Sequence, residues 1–423
     1  MLNRIQLNKL DGILFVCGYV PVLILGILST SSISYSLPIE FFSKMVIAFS
    51  IILYTAKILI NEYQIKEFFL YLVLLIVFFV SYRQSGSWSL ITMFIFMVSS
   101  RNVDPKLVNK IYFVISLVLI IAIVFGALKG TIPNYVFYRD GLSRASLGII
   151  YPTDFASHIF YLLCSFSYLR GKKFGIIDFV LVIGISYLVY TQTNARLNFI
   201  CGILLALAMY LVRFDKKNLL NNFTRMMPTA GAVTMIFLTT IYNPGNDFLN
   251  NLNQALSGRL SIVHEVVSQY GLHLFGANIV QNGLGGPSGL NFNPFLTKYV
   301  FIDSMYLRFL LMYGIVSLIL VLIVLYFMVK KVQDKYLLAV LLTIFVAAAI
   351  ENHLLEFAYN PFLIILASTF FNRNNLPNSC FSKSEIKDFG DDFEGWEDTS
   401  TNTETPLLQP ECTQQKSNWG KPL

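Results

Sequence analysis

The residues with most to offer chemically are arginines and acids that interrupt or flank apolar segments. Arg83, Arg139, Arg144, Arg196 and Arg259 lie between such segments, and Arg308 lies one turn into another. A guanidinium stays charged when partly buried and grips a phosphate through two parallel hydrogen bonds. As a set, these arginines predict an anionic ligand. Each one taken alone is equally well explained by a lipid headgroup or by a carboxylate such as Asp140, Asp154, Glu265 or Asp303. Asp303, Glu351 and Glu356 are the acids whose position is costly, at the edge of apolar runs, where ionisable groups tend to mark function. Asp303 opens a segment and is expected to cap its helix, a role compatible with catalysis. Glu265, His264 and His353 are further candidates for taking a proton from a hydroxyl. The four histidines, His158, His264, His273 and His353, are too dispersed to suggest a metal site, and no HExxH, DxD or GxSxG motif is present. No metal and no cofactor is expected.

The elements that position these groups are membrane helices. Of 423 residues, 55% are hydrophobic and 13% charged, against about 25% charged in soluble domains. A bilayer core about 30 Å thick needs roughly 20 apolar residues per helix, and unpaired backbone groups in lipid force such runs to be helical. The predicted class is all-α and polytopic, with about twelve spans near 10–30, 41–60, 67–82, 87–100, 111–128, 149–169, 174–191, 197–213, 228–242, 304–329, 336–350 and 357–371. The short pair around Ser81 to Trp88 also fits a re-entrant hairpin. The first run lacks a small-residue cleavage site and reads as a retained helix. Cys17, Cys164 and Cys201 fall in apolar runs, and no disulfide framework is implied.

Charge orients the spans. Arg4 and Lys9 precede the first; Lys57, Lys66, Arg101, Lys106, Lys110, Arg170, Lys172, Lys173, Arg213, Lys216, Lys217, Arg225, Lys330, Lys331 and Lys335 fall in the even loops. The rule that basic loops stay inside places those loops and both termini in the cytoplasm. The formal net charge of +7 is this topology signal, scattered in short clusters, and not a nucleic-acid footprint. The long polar loop 243–302 then lies outside. Within it Leu260, Val263, Val267 and Tyr270 recur at helical spacing, which predicts an amphipathic helix beginning at Arg259. The run Gly283-Leu-Gly-Gly-Pro-Ser-Gly lacks the Gly-Lys-Ser/Thr of a phosphate loop and reads as a connector or hinge. Residues 1–372 form one membrane domain, and the polar, partly acidic 373–423 reads as a disordered cytoplasmic tail.

Four pieces of the chain resemble bacterial polysaccharide repeat-unit polymerases of the Wzy type, which are related to O-antigen ligases. They are Thr191-Gln-Thr-Asn-Ala-Arg196-Leu; Leu256-Ser-Gly-Arg259-Leu with Tyr270-Gly and Leu274-Phe-Gly276; Asp303-Ser-Met-Tyr306-Leu-Arg308 running on to Gly314; and Glu351-Asn-His-Leu-Leu-Glu356 with Asn360-Pro-Phe. The resemblance spans about residues 1–372 in architecture. It implies a metal-independent, GT-C-like glycosyltransferase that joins undecaprenyl-diphosphate-linked oligosaccharide units on the outer face of the cytoplasmic membrane. Capsule, exopolysaccharide or O-antigen would be the product, and a flippase and a chain-length regulator of the same pathway would be its partners. By resemblance Arg196 and Arg259 bind the diphosphate, and Asp303 acts on the acceptor hydroxyl. The spacing from Arg259 to Gly276 is one residue longer than in some polymerases, so Gly276 departs from the pattern while Arg259 keeps it.

The residues themselves suit this chemistry. A diphosphate leaving group gathers negative charge as the glycosidic bond breaks, and guanidiniums stabilise it. The candidate catalytic set is therefore Asp303, Arg259 and Arg196, with Arg139, Arg144, Tyr306, Arg308, His264 and Glu351 as candidate substrate contacts. Tyr242, Tyr270, Tyr306 and Phe292 are candidates to stack on sugar faces. A ligase that hands the polymer to another acceptor remains an alternative; ligases often carry His where Asp303 stands. A transporter is the alternative of a different class, although related halves and midplane charges are not evident.

Overall fold

In the computed structural model, residues 4–61, 63, 65–139, 141–215, 219–291 and 299–373 are described. Asp140, Lys216, Lys217, Phe292 and the tail from residue 374 lie outside the described residues.

Helices occupy all twelve of the apolar segments. They are α1 Arg4–Ser29, α2 Ile39–Ile60, α3 Ile65–Ser85, α4 Ser89–Ser99, α5 Pro105–Leu128, α6 Pro152–Arg170, α7 Ile176–Thr193, α8 Arg196–Leu211 and α9 Leu219–Ile241. After the long loop come α13 Met305–Arg308, a π-helical turn Phe309–Tyr313, α14 Gly314–Lys330, α15 Lys335–Ala347 and α16 Phe362–Arg373. Among the described residues seven helices are long and apolar enough to cross a membrane: α1, α2, α3, α5, α7, α8 and the composite Met305–Lys330. The chain is an all-α, polytopic membrane protein. α6 and α9 are long enough but more polar, and α4, α15 and α16 are short. Ser81 to Ser85 belongs to α3, and only Gly86 to Trp88 links it to the separate helix α4; α3 is long enough to cross.

Three departures from the expected pattern matter for the site. First, a β-hairpin, β1 Val136–Arg139 and β2 Leu142–Ala145, stands between α5 and α6, paired Arg139 to Leu142 at its tip. In the sequence, Asp140-Gly141 between the two strands is a strong hairpin signal, and Gly141 has φ +75°.

Second, the long loop carries an unforeseen helix, α10 Asp247–Ala255, before the expected α11 Arg259–Tyr270, and a short turn α12 Gly286–Leu290 in the Gly-rich run. Gly286 (φ +65°) sits so close to Tyr35 that a Cβ there would lie 2.1 Å from the phenol oxygen. Its N–H also donates to Ile150 O at 2.7 Å. The run is thereby docked on neighbouring elements and does not hang as a hinge.

Third, the helix through residues 305–330 is broken, and the loop threads the break. Gly276 (φ +88°) and Gly314 (φ +90°) meet backbone to backbone; a Cβ on Gly276 would lie 1.8 Å from Met312 O. Ile315 N and Val316 N, freed at the start of α14, donate to His273 O (3.2 Å) and Leu274 O (3.1 Å), and Ala277 N donates to Leu311 O (3.1 Å). Ser81 Oγ donates to Tyr313 O at 2.8 Å. Interrupted backbone is tolerated at membrane depth only where protein satisfies it, and these bonds do so. Gly276 is thus required for close backbone approach.

Candidate functional site

The functional residues gather where the C-terminal end of α1, the N-terminal ends of α6 and α8, the long loop and the link from α15 to α16 meet. α15 has 13 residues, about 20 Å at 1.5 Å per residue, too short for a full crossing. The chain from Ala348 to Pro361 continues as irregular, largely buried backbone before α16 starts. It holds itself through Asn360, whose Oδ1 accepts from Phe362 N (2.9 Å) and whose Nδ2 donates to Leu354 O (2.9 Å). Met305 N donates to Ala348 O (2.9 Å), joining this segment to α13.

Beside it lies a cavity of about 360 Å³ whose polar lining includes Asp154, Ser157, Asn198, Arg259, Asp303, Glu351, His353 and Glu356. Gly283, Leu284 and Gly285 form part of its wall.

Arg259 is aimed by a built turn. Ser257 (φ +58°) and Gly258 (φ +82°) reverse the chain, and Asn253 Oδ1 caps α11 by accepting from Leu260 N (3.0 Å) and Ser261 N (3.1 Å). The guanidinium donates to Leu256 O (3.0 Å) and pairs with Asp303, Nε to Oδ2 3.1 Å. Asp303 is therefore not the helix cap expected for it: Ser304 holds the N-cap position, without a side-chain capping bond. Gln281 fixes the approach to Asp303. Its Oε1 accepts from Ile302 N (3.1 Å) and from Arg308 Nη2 (3.0 Å). Arg308, read from sequence as a substrate contact, is a brace for that strand and lies over the Phe301 ring.

His353 is clamped. Its Nδ1 is 3.0 Å from Glu356 Oε2, its Nε2 is 4.0 Å from Asp154 Oδ1, and its ring stacks on Tyr359 (centroids 3.9 Å). On the other side Tyr359 stacks on His158 (4.0 Å), whose Nε2 meets Thr30 Oγ1 at 2.8 Å. Asn352 Nδ2 donates to the other oxygen of Glu356 (3.1 Å). Asn198 Nδ2 donates to Ser157 Oγ (3.0 Å) beside Glu351, and Glu351 Oε2 is buried without a hydrogen-bond partner.

The electrostatics follow from this packing. Burial alone would push the His353 imidazole down, but Glu356, with Glu351 and Asp154, outweighs it and brings it up to about 9. Burial favours the neutral form of Glu356, yet His353 reverses that and holds its carboxyl below the ordinary range. Burial raises Asp303 against the opposing pull of Arg259 and Arg308, and raises Glu351 against that of His353. The site thus holds a His353 imidazolium paired with a Glu356 carboxylate, an Arg259–Asp303 ion pair, and a Glu351 carboxyl whose burial favours the neutral form.

Other sequence candidates fall elsewhere. Arg196, at the start of α8, is exposed and does not line the cavity; Asn198, one residue beyond its neighbour, does. Arg139 and Arg144, read as substrate contacts, serve the C-terminal end of α7. Arg139 Nη2 donates to Asn194 O (2.9 Å), and Arg144, 2% exposed, donates from Nε to Thr193 O (2.7 Å). Cations there satisfy the last carbonyls of a helix and its dipole. Tyr306, read as a sugar contact, is buried; its hydroxyl donates to Phe345 O (2.7 Å) and its ring packs on Gly231. His264 is bonded to Thr239 O (3.0 Å) on α9, away from the cavity. Tyr242 packs edge-on to His264, and neither it nor Tyr270 lines the cavity. Asp154 was legible in the sequence only as a carboxylate that could pair with an arginine, and Ser157 gave no signal. Compared with protein-family models, with curated proteins and with solved structures, the chain matches none.

Proposed function

We propose that this chain is a polysaccharide repeat-unit polymerase, transferring a growing glycan from a lipid diphosphate to the terminal sugar of an incoming lipid-linked unit. The reading includes twelve spans of GT-C-like arrangement in the cytoplasmic membrane, both termini inside, and the cavity opening outward. One observation carries it: three of the four stretches that bear the resemblance contribute to one cavity, through Arg259, Asp303 and the Glu351–His353–Glu356 segment, and Asn198, the residue directly after the remaining stretch, lines it too.

The chemistry divides among these side chains. The donor diphosphate lies against Arg259 and the His353 imidazolium, which offset the charge that gathers as the bond from the anomeric carbon to the phosphate oxygen breaks. The electron pair leaves with the diphosphate. An acceptor hydroxyl oxygen forms the new bond to that carbon and passes its proton to Asp303. An arriving diphosphate competes with Asp303 for Arg259, which frees the carboxylate and makes it a stronger base. Glu351, on the other wall, orients the acceptor or takes the proton onward.

The test is a gel of surface polysaccharide and of extracted lipid-linked glycans from cells lacking the gene. Surface chains reduced to a single repeat unit are expected. Full-length polymer stranded on its lipid carrier would point to a ligase, and single units trapped on the inner leaflet to a flippase; either overturns the reading.

A further inference from the structure

Next to the catalytic cavity is a second opening of about 340 Å³, between the ends of α1, α2 and α4 and the segment 355–358. The two share Thr30 and Glu356, which stand as a threshold between them.

The lining of the slot differs in kind from that of the cavity. It contains no Lys, Arg or His. Its polar groups are the hydroxyls of Ser29, Thr30, Ser43, Ser89 and Thr92 and the carboxylate of Glu356. Three of those hydroxyls have given their protons to helix carbonyls: Ser29 to Gly26 O (2.7 Å), Thr30 to Ile27 O (2.8 Å) and Thr92 to Trp88 O (2.8 Å). What Ser29 and Thr92 present is lone pairs; Thr30 Oγ1 also meets His158 Nε2 at 2.8 Å. Ser43 Oγ has no hydrogen-bond partner at all. One wall is Trp88, half exposed and packed on Tyr82 at a centroid distance of 3.8 Å.

A wall of acceptors selects a ligand that donates. A diphosphate has no protons to give at neutral pH and would meet the Glu356 carboxylate, whose cation His353 does not line the slot. A sugar brings several hydroxyl donors and an apolar ring face suited to an indole. We infer that this slot binds the neutral terminal sugar of the acceptor and passes its nucleophilic hydroxyl over the Thr30–Glu356 threshold into the cavity. The inference rests on the transferase reading of the cavity.

The test uses full-length protein in nanodiscs, with the chain-length ladder in cells as its companion. Ser89→Phe fills the slot, and Trp88→Ala removes the ring without adding bulk. Undecaprenyl diphosphate is the probe of the donor side, read as a thermal shift. Both slot variants are expected to lose long chains while keeping the wild-type thermal shift with undecaprenyl diphosphate; Arg259→Ala is expected to lose both. A wild-type ladder from both slot variants alongside a lost ladder in Arg259→Ala overturns the slot and leaves the transferase reading standing. Loss of the undecaprenyl diphosphate shift in folded slot variants also overturns it, since the slot would then hold the donor. A wild-type ladder from Arg259→Ala overturns the transferase reading, and the inference with it.

Discussion

The Arg259–Asp303 pair allows structure and catalysis to be separated. At 3.1 Å, with side chains only 13% and 22% exposed, the direct attraction is about 5 kcal/mol at an effective dielectric of about 20. Desolvation of both ions cancels most of it, so the pair as a whole contributes little. Removing one partner is different, because it leaves the other charge buried alone at a cost of about 3–5 kcal/mol. Arg259→Met and Asp303→Leu are each expected to lower the melting temperature in detergent by about 3–5 °C, since about 1 kcal/mol moves a chain of this length by about 1 °C. The double variant is expected to recover most of that loss, which puts its cost at least about 4 kcal/mol below the sum of the two singles. All three are expected to lack polymer, since stability returns in the double variant and the catalytic groups do not. Strictly additive melting losses would refute the ion pair. A wild-type ladder from the double variant would refute the catalytic assignment.

Three further outcomes follow from particular contacts. Gly276→Ala combines a left-handed backbone costing about 1–2 kcal/mol with a collision at Met312 O; it is expected to cost at least about 3 kcal/mol in thermal melts. Gly130→Ala, with φ +75° but nothing within 4 Å, should cost only the backbone part, and equal losses would refute the threaded break. His353 is raised in the folded protein from 6.5 to about 9. Its stabilisation is therefore full below about pH 6.5 and lost as pH rises through about 9, a fall of about 3 kcal/mol that His353→Gln should abolish in pH-dependent melts. Arg144→Ala removes a buried charged hydrogen bond to Thr193 O and is expected to cost about 1.5–3 kcal/mol while the folded fraction keeps its long chains; loss of polymer at unchanged stability would restore Arg144 to the substrate site.

The helices were legible because lipid leaves the backbone one solution for a long apolar run, and Arg259 and Asp303 because charge at such places is costly. What one residue type does with its charge was not legible. Arg144 and Arg259 look alike in sequence; one bonds a helix end and the other faces a cavity, a difference made by contacts between residues more than forty apart in the chain. Arg196 drew attention from Asn198 because a guanidinium is the more obvious ligand. The hairpin had its Asp140-Gly141 signal, but two four-residue strands carry too little periodicity to stand out between apolar runs. The break at Gly314 was invisible, since glycine within an apolar segment is unremarkable until another glycine, Gly276, is found against it.

The charge balance of the cavity adds a constraint on any anionic substrate. Arg259 and His353 each already face a carboxylate, Asp303 and Glu356, and Asp154 and Glu351 add two more acids. An incoming diphosphate gains net attraction only if it displaces a carboxylate from its partner or if a carboxyl takes up a proton. Asp303 is open to both routes. Asp303 and Glu351 are the acids whose burial favours the neutral form, so protonation there costs less than it would in water. Glu356 is held charged by His353 and resists it. On the polymerase reading proposed above, a diphosphate that displaces Asp303 from Arg259 frees the carboxylate that would take the acceptor's proton; without it, Arg259 stays paired with Asp303.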